Sequence, residues 1–169
     1  MTSITLRPAT PADVPLLEQW DEEPDVAASD PNDDWDWAND TLGAEGLENL
    51  IAELDGRPIG FIQITDLVRD ASRYWGDPQP GFMAIDIWIG EPDARGHGAG
   101  RAMMELAIAR CFADPAIHTI LIDPLKTNAD AIGFYRRLGF TFVENRRFGQ
   151  DDCAVHALRR TDWEKEHIP

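Results

Sequence analysis

The chain of 169 residues sets 31 Asp and Glu against 15 Lys and Arg, a net charge of −16. A surface this acidic repels polyanions, which excludes nucleic acid as the natural partner and favours a cationic small molecule. The length suits one domain spanning residues 1–169. There is no run of about 18 or more apolar residues, and the opening Met-Thr-Ser-Ile-Thr-Leu-Arg lacks the apolar stretch of a secretion signal. A cytoplasmic protein off the membrane is expected. Cys111 and Cys153 have no metal-ligand or Cys-x-x-Cys spacing, which speaks against a metal site and a disulfide. The pattern leaves monomer and homodimer equally open.

In chain order, Ile4 to Arg7 reads as a short strand, and Thr10-Pro11-Ala12-Asp13 opens a helix that runs to about Trp20, with Thr10 as its cap. Asp21 to Asp40 is densely acidic, with Glu22, Glu23, Asp25, Asp30, Asp33, Asp34 and Asp36 around Trp35 and Trp37, and should hold a second helix. Two apolar runs, Leu50 to Leu54 and Ile59 to Ile64, flank Asp55-Gly56 and predict a hairpin. Asp66 to Pro80, with Tyr74 and Trp75, has no period and predicts a loop. Phe82 to Ile89 alternates as a strand, with Met83, Ile85, Ile87 and Ile89 on one face and Ala84, Asp86 and Trp88 on the other.

A helix is expected from about Gly98 to Phe112, with Ala102, Leu106 and Ala109 as its apolar stripe beside Met103, stopped by Asp114-Pro115. Thr119 to Ile122 is a buried-type strand that ends at Asp123-Pro124. The next helix starts at Asn128, its N-cap, carries Ala131, Phe134 or Tyr135, and Leu138 inward, and ends on Gly139. Phe140 to Glu144 and Cys153 to Leu158 should pair around a turn at 148–152. The predicted class is mixed α/β, with strands outnumbering helices.

The strongest chemical signal is Arg95-Gly96-His97-Gly98-Ala99-Gly100-Arg101, placed between a strand and a helix. Glycines at alternate positions let the backbone approach an anion, and a helix start offers unpaired N–H groups and partial positive charge. That combination fits a diphosphate. The segment lacks the Gly-Lys-Ser/Thr ending of a nucleotide P-loop, and the third glycine of a dinucleotide fingerprint would fall on Arg101. His97 reads as a solvent-facing spacer.

Arg95 to Gly100 resembles the Gln/Arg-x-x-Gly-x-Gly/Ala hallmark of the GNAT N-acetyltransferases. The resemblance extends through the Asp55-Gly56 hairpin, Asn128 to Tyr135, and Leu138-Gly139-Phe140. It implies the GNAT fold, a mixed, mostly antiparallel sheet flanked by helices, and acetyl-CoA as cofactor. It further implies a pantetheine-contacting Asn128, a helix at Ala131 against the cofactor, Tyr135 near the thiol, and strand N–H groups around Ile87, Trp88 and Ile89 that polarise the carbonyl. Ile85-Asp86, Ile122-Asp123-Pro124 and Asn128-Ala129-Asp130-Ala131-Ile132 are similar to aminoglycoside 6'-N-acetyltransferases and to siderophore-pathway lysine N-acyltransferases. Tyr74-Trp75 resembles the aromatic pair of the drug-modifying enzymes, although Ser72 and Arg73 stand before it where a further acid is expected.

The acceptor side follows from charge. Asp86 lies inside an apolar strand, where a carboxylate needs a bonded partner or a function. It is the candidate base and ammonium holder, with Asp123 flanking the same cleft. Tyr135 is the candidate acid towards the leaving thiolate, or else an amphipathic part of the core stripe. Trp35, Tyr74 and Trp75 beside carboxylates suit a polyamine or amino sugar. Neither cysteine is placed for an acyl-enzyme, so direct transfer in a ternary complex is expected. A non-catalytic CoA-binding sensor is the competing reading.

Overall fold

The computed structural model describes residues 3–32, 35–77 and 79–167. Asp33 and Asp34 of the acidic segment and Pro78 of the long loop lie outside the described residues. Seven strands form one sheet: β1 (Ile4–Pro8), β2 (Leu47–Leu54), β3 (Arg57–Asp66), β4 (Phe82–Ile89), β5 (Thr119–Ile122), β6 (Thr141–Phe148) and β7 (Asp151–Arg159). Their order is β1-β2-β3-β4-β5-β7-β6, antiparallel throughout except for the parallel pair β4 and β5. The β2–β3 turn is Asp55-Gly56, with φ of 50° and 84°. Two successive left-handed residues are what a two-residue hairpin requires, which explains the aspartate-glycine pair.

Helices cover both faces. On one, α3 (Ala99–Phe112) packs against the sheet through Met103, Met104, Ala107, Ile108 and Cys111. The stripe expected from Ala102, Leu106 and Ala109 is therefore displaced by one residue, and Leu106 is 40% exposed. The segment from Ala102 to Ile108 is apolar almost all round, so volume selects the buried face, and the longer Met and Ile side chains fill it. Met83, Ile85, Ile87 and Ile89 of β4 point to this side, as their alternation predicts. Burial pushes the Cys111 thiol up to about 12, which keeps it protonated and unreactive.

On the opposite face, α1 (Val14–Asp21), α2 (Pro24–Ser29) and a π-helical turn at Trp37–Thr41 enclose a second core of Leu17, Trp20, Val26, Trp37, Phe61 and Trp88. A 3-10 turn, Pro11–Asp13, leads into α1 with Thr10 at its cap. Asp13 accepts from the Thr10 N–H at 2.8 Å and from both terminal nitrogens of Arg7 at 2.8 and 2.9 Å. The Arg7 guanidinium holds the Asp13 carboxyl below its ordinary value. A group depressed on folding stabilises above its unfolded pKa, and that contribution disappears as pH falls through the folded value. Asp13→Asn should cost about 2 kcal/mol at neutral pH. Denaturant titrations should show the gap to wild type closing as the solution is taken below the carboxylate range.

Past β5, α4 (Ala129–Arg137) starts where Asn128 Oδ1 accepts from the Ala131 N–H at 3.1 Å, and ends at Gly139 with φ of 103°. The β6–β7 turn is only Gly149-Gln150, shorter than the five-residue turn expected, because the ladder runs from Thr141↔Ala157 to Phe148↔Asp151. The final helix, α5 (Arg160–His167), has no apolar periodicity to announce it. It is tied on by Trp163 against Phe112 at 5.0 Å and by Arg160, which donates to the carbonyls of Phe112, Asp114 and Ile117.

Candidate active site

The parallel pair positions the site by failing to stay paired. β4 and β5 are matched at Phe82↔Thr119, Met83↔Ile120 and Ala84↔Leu121, and no pairing follows Ala84. Peptide groups alternate in direction along an antiparallel strand. Gly90 N–H bonds Ile59 and Phe82 C=O accepts from Leu67, so even-numbered residues of β4 face β3. Ile87 and Ile89 therefore turn their peptides into the opening between β4 and β5. The Ile89 carbonyl accepts from Arg95 Nη2 at 2.7 Å and Nε at 3.1 Å. The Trp88 peptide faces β3, so of the three residues expected to offer strand N–H groups, only the two isoleucines are oriented to do so.

At the end of this opening sits the glycine segment. Gly96 and Gly98 have φ of 78° and 82°, and a Cβ built on either would meet no protein atom within 4 Å. Backbone conformation, not crowding by the protein, demands glycine there. Gly100 is already helical, and a Cβ on it would make ordinary contacts with Ile89 and Phe134 at about 3.6 Å. Ala99 begins a helix of 14 residues whose first N–H groups have no helical partner. An anion here meets main chain and helix start, which fits a diphosphate. The arginine side chains point elsewhere: Arg101 pairs with Glu105 at 3.0 Å, and Arg95 binds Glu23 at 3.0 Å and Asp25 at 2.7 Å, while His97 is exposed beside Gly98 and Ala99.

Two adjoining cavities flank β4. A narrow slot of about 100 Å3 is lined by Ile87, Asn128, Ala131 and Tyr135. A wider chamber of about 290 Å3 is lined by Trp35, Gln63, Asp70, Tyr74, Trp75 and Asp151. Asp86 and Asp123, with Ser29 and Asp30, line both and so stand at the junction. Asp86, Asp123, Trp35, Tyr74, Trp75 and Tyr135 thus line adjoining cavities, with the first three aromatic residues each held against another ring. Tyr74 stacks on Phe148 at 4.6 Å and donates to Asp123 Oδ2 at 2.6 Å. Trp35 stacks on Trp37 at 4.9 Å, and Trp75 is buried against Phe148. Trp88 is buried in the same aromatic cluster as Trp35, which makes it a wall of the site from its side-chain end. Burial, with smaller contributions from Asp86 and Asp123, pushes the Tyr135 phenol upward. It is held as a neutral hydrogen-bond donor. Asn128, meanwhile, spends its side-chain oxygen on capping α4.

Several lining residues carry no mark in the sequence. Asp70 supplies acid close to the Tyr74-Trp75 pair; it is 6% exposed and fixed by the Ser72 N–H and hydroxyl at 3.0 and 2.9 Å. Gln63 lies directly across from Asp86, and Asn49 lies across from Gln63. The Thr41 carbonyl can only accept, so Asn49 gives it Nδ2 at 3.0 Å and turns Oδ1 to Gln63 Nε2 at 2.9 Å. Gln63 Oε1 is left to face the chamber beside Asp86. This aims a fixed acceptor at any donor on the ligand. Asn49→Leu unpins that amide and should raise the KM of an amine substrate while lowering stability by about 1–3 kcal/mol. Steady-state kinetics combined with urea unfolding would check both effects.

A splayed strand edge running into a glycine-shaped helix start, with carboxylates at the junction, defines a site for transfer of an acyl group from a diphosphate-bearing carrier to an amine. The acetyltransferase (GNAT) domain family matches residues 9–148, and the chain belongs to that family. It is similar to the aminoglycoside N(6')-acetyltransferases type 1 of Klebsiella pneumoniae and of Serratia marcescens, 27% identical over 150 residues, covering 82% of this chain and 74% of each relative. Among solved structures, an aminoglycoside acetyltransferase AAC(6')-Ib in complex with coenzyme A and kanamycin superposes with a TM-score of 0.83 at 24% identity, over 98% of this chain and 99% of that one. A spermidine N-acetyltransferase from Vibrio cholerae with CoA and spermine gives 0.76 at 14% identity, over 95% and 97%. These two share the fold. No helix among the described residues is long and apolar enough to cross a membrane.

Proposed function

We propose that this single domain, working in the cytoplasm, transfers acetyl from acetyl-CoA to a primary amine of a polycationic small molecule, an aminoglycoside first among them. The observation that carries the reading is the place of Asp86 and Asp123 at the junction of the strand-edge slot and the acidic, aromatic chamber. Names of the 27% identical relatives support the same substrate class.

Acetyl-CoA supplies an acyl group activated as a thioester. The backbone of Gly96 to Gly100 and the start of α3 hold its diphosphate, and the slot beside Ile87, Asn128 and Ala131 takes its arm. An N–H group that Ile87 or Ile89 turns into the opening directs its dipole at the carbonyl oxygen, where negative charge develops. Asp86 holds the substrate ammonium and takes the proton that frees its lone pair, directly or through water. Asp123, Gln63 and Asp70 fix the rest of the cation, and Trp35, Tyr74 and Trp75 give it aromatic faces. An ammonium loses two protons on becoming an amide; one ends on the departing thiol and the other in solvent. A thiol has an ordinary pKa of about 8.5, well below the elevated Tyr135 phenol. Tyr135 therefore steadies the leaving sulfur by hydrogen bonding and keeps its proton.

The deciding assay incubates the protein with acetyl-CoA and a panel of aminoglycosides, polyamines, hydroxylysine and peptide N-termini, and follows free thiol. Thiol release with aminoglycosides above all other amines is the expected result. Preference for hydroxylysine would move the assignment to siderophore precursors. CoA binding without release for any amine would leave a sensor.

A further inference from the structure

We propose that the Arg95 side chain is a positioning strut that joins the cofactor cradle to the wall of the acceptor chamber, so that the two halves of the site are set together. The inference rests on reading that chamber as the acceptor site. Arg95 opens the glycine segment, yet its guanidinium turns away from the segment it opens. Two of its nitrogens hold the Ile89 carbonyl at the end of β4, and the third holds Glu23 and Asp25 at 3.0 and 2.7 Å. One planar group therefore grips the strand edge, the cradle loop and the start of α2 at once, in the fork geometry that suits arginine and not lysine.

The far end of α2 is the acceptor wall. Ser29 closes the helix and Asp30 follows it, and both residues line the slot and the chamber. Six residues rise only about 9 Å, so a displacement at Glu23 reaches Asp30 with little room to dissipate. A helix this short has no stability of its own. Its anchors are Val26, buried at 4% exposure in the aromatic core, and the Arg95 ion pairs at its start. Glu23 is itself largely buried, and its second carboxylate oxygen has no partner among the described residues. Removing the guanidinium would strand that charge, and α2 would shift to rehydrate it. The acceptor wall would move with it.

The test compares wild type with Arg95→Met. Amide hydrogen exchange of the ligand-free protein should accelerate about tenfold over residues 26–30. Acceptor KM should rise about tenfold, and the CoA Kd measured by calorimetry should stay within about twofold. Arg95→Lys keeps the charge but loses the fork, and should recover little of either effect. If Arg95→Met does not fold, the double variant Glu23→Gln with Asp25→Asn breaks the same link from the other end and should give the same pattern. A loss confined to CoA affinity would make Arg95 a phosphate ligand and overturn the proposal. Faster exchange in α2 without a change in acceptor KM would reduce Arg95 to a fold contact and would overturn it equally. A wild-type protein that acetylates no amine removes the acceptor reading instead, while the exchange experiment still decides whether the strut exists.

Discussion

Asp86→Asn should lower kcat/KM for the acceptor by about 10²–10⁴-fold, the usual range for losing a positioned base. CoA affinity should hardly move, because Asp86 stands only where the slot opens into the chamber, while the diphosphate is met by the backbone of the glycine segment. The substitution keeps size and hydrogen bonding and removes only charge and basicity. It leaves the ammonium without its counter-ion and the amine protonated, and a protonated amine cannot attack. Asp86 lies opposite Gln63 of β3, and an asparagine there can donate its amide to Gln63 Oε1, so the fold should survive. Progress curves of thiol release at saturating acetyl-CoA would measure the loss. Activity equal to wild type would strike Asp86 from the catalytic residues.

Gly98→Val should abolish CoA binding, with at least about a hundredfold rise in Kd, or about 2.7 kcal/mol. Two effects act together. A β-branched residue resists the φ of 82° that Gly98 holds, and its methyl groups would project into the space over the helix start where the backbone must receive the diphosphate. The surrounding protein offers no clash, since a Cβ there has no neighbour within 4 Å. Stability should therefore fall by only the conformational term, about 1–2 kcal/mol. Calorimetric titration with CoA beside a thermal melt separates the two. A variant that still binds CoA tightly would remove the glycine segment from the cofactor site.

Much of this arrangement is legible in the order of residues because each cue is local. Asp55-Gly56 announces a hairpin, Met83 to Ile89 alternates, and Asn128 and Gly139 bound α4, since caps, turns and periods are fixed within a few residues. Asp86 stands out because a carboxylate in an apolar strand is anomalous wherever the strand goes. Gln63 and Asp70 carry no such mark. Gln63 matters only because the register sets it between Asn49 and Asp86, and register is a property of two strands, not one. The buried face of α3 is illegible for another reason: where Ala, Met, Leu and Ile surround a helix on all sides, the period fades and only the shape of the opposing sheet decides. Arg95 is a third case. Its motif identifies the loop, while its side chain answers to Glu23 and Asp25, which stand about seventy residues earlier in the chain.

The unzipped edge of β4 also bears on how firmly the native state holds together. A sheet that stops pairing at Ala84 on the β5 side turns the Ile87 peptide toward the slot and not toward a strand, while Arg95 takes the Ile89 carbonyl. A ligand that occupies the native state alone stabilises it by about 4 kcal/mol at a thousand times its Kd. The arm of CoA, laid against Ile87 in the slot, would stand in for the missing strand neighbour, so the thermal midpoint should climb with CoA concentration.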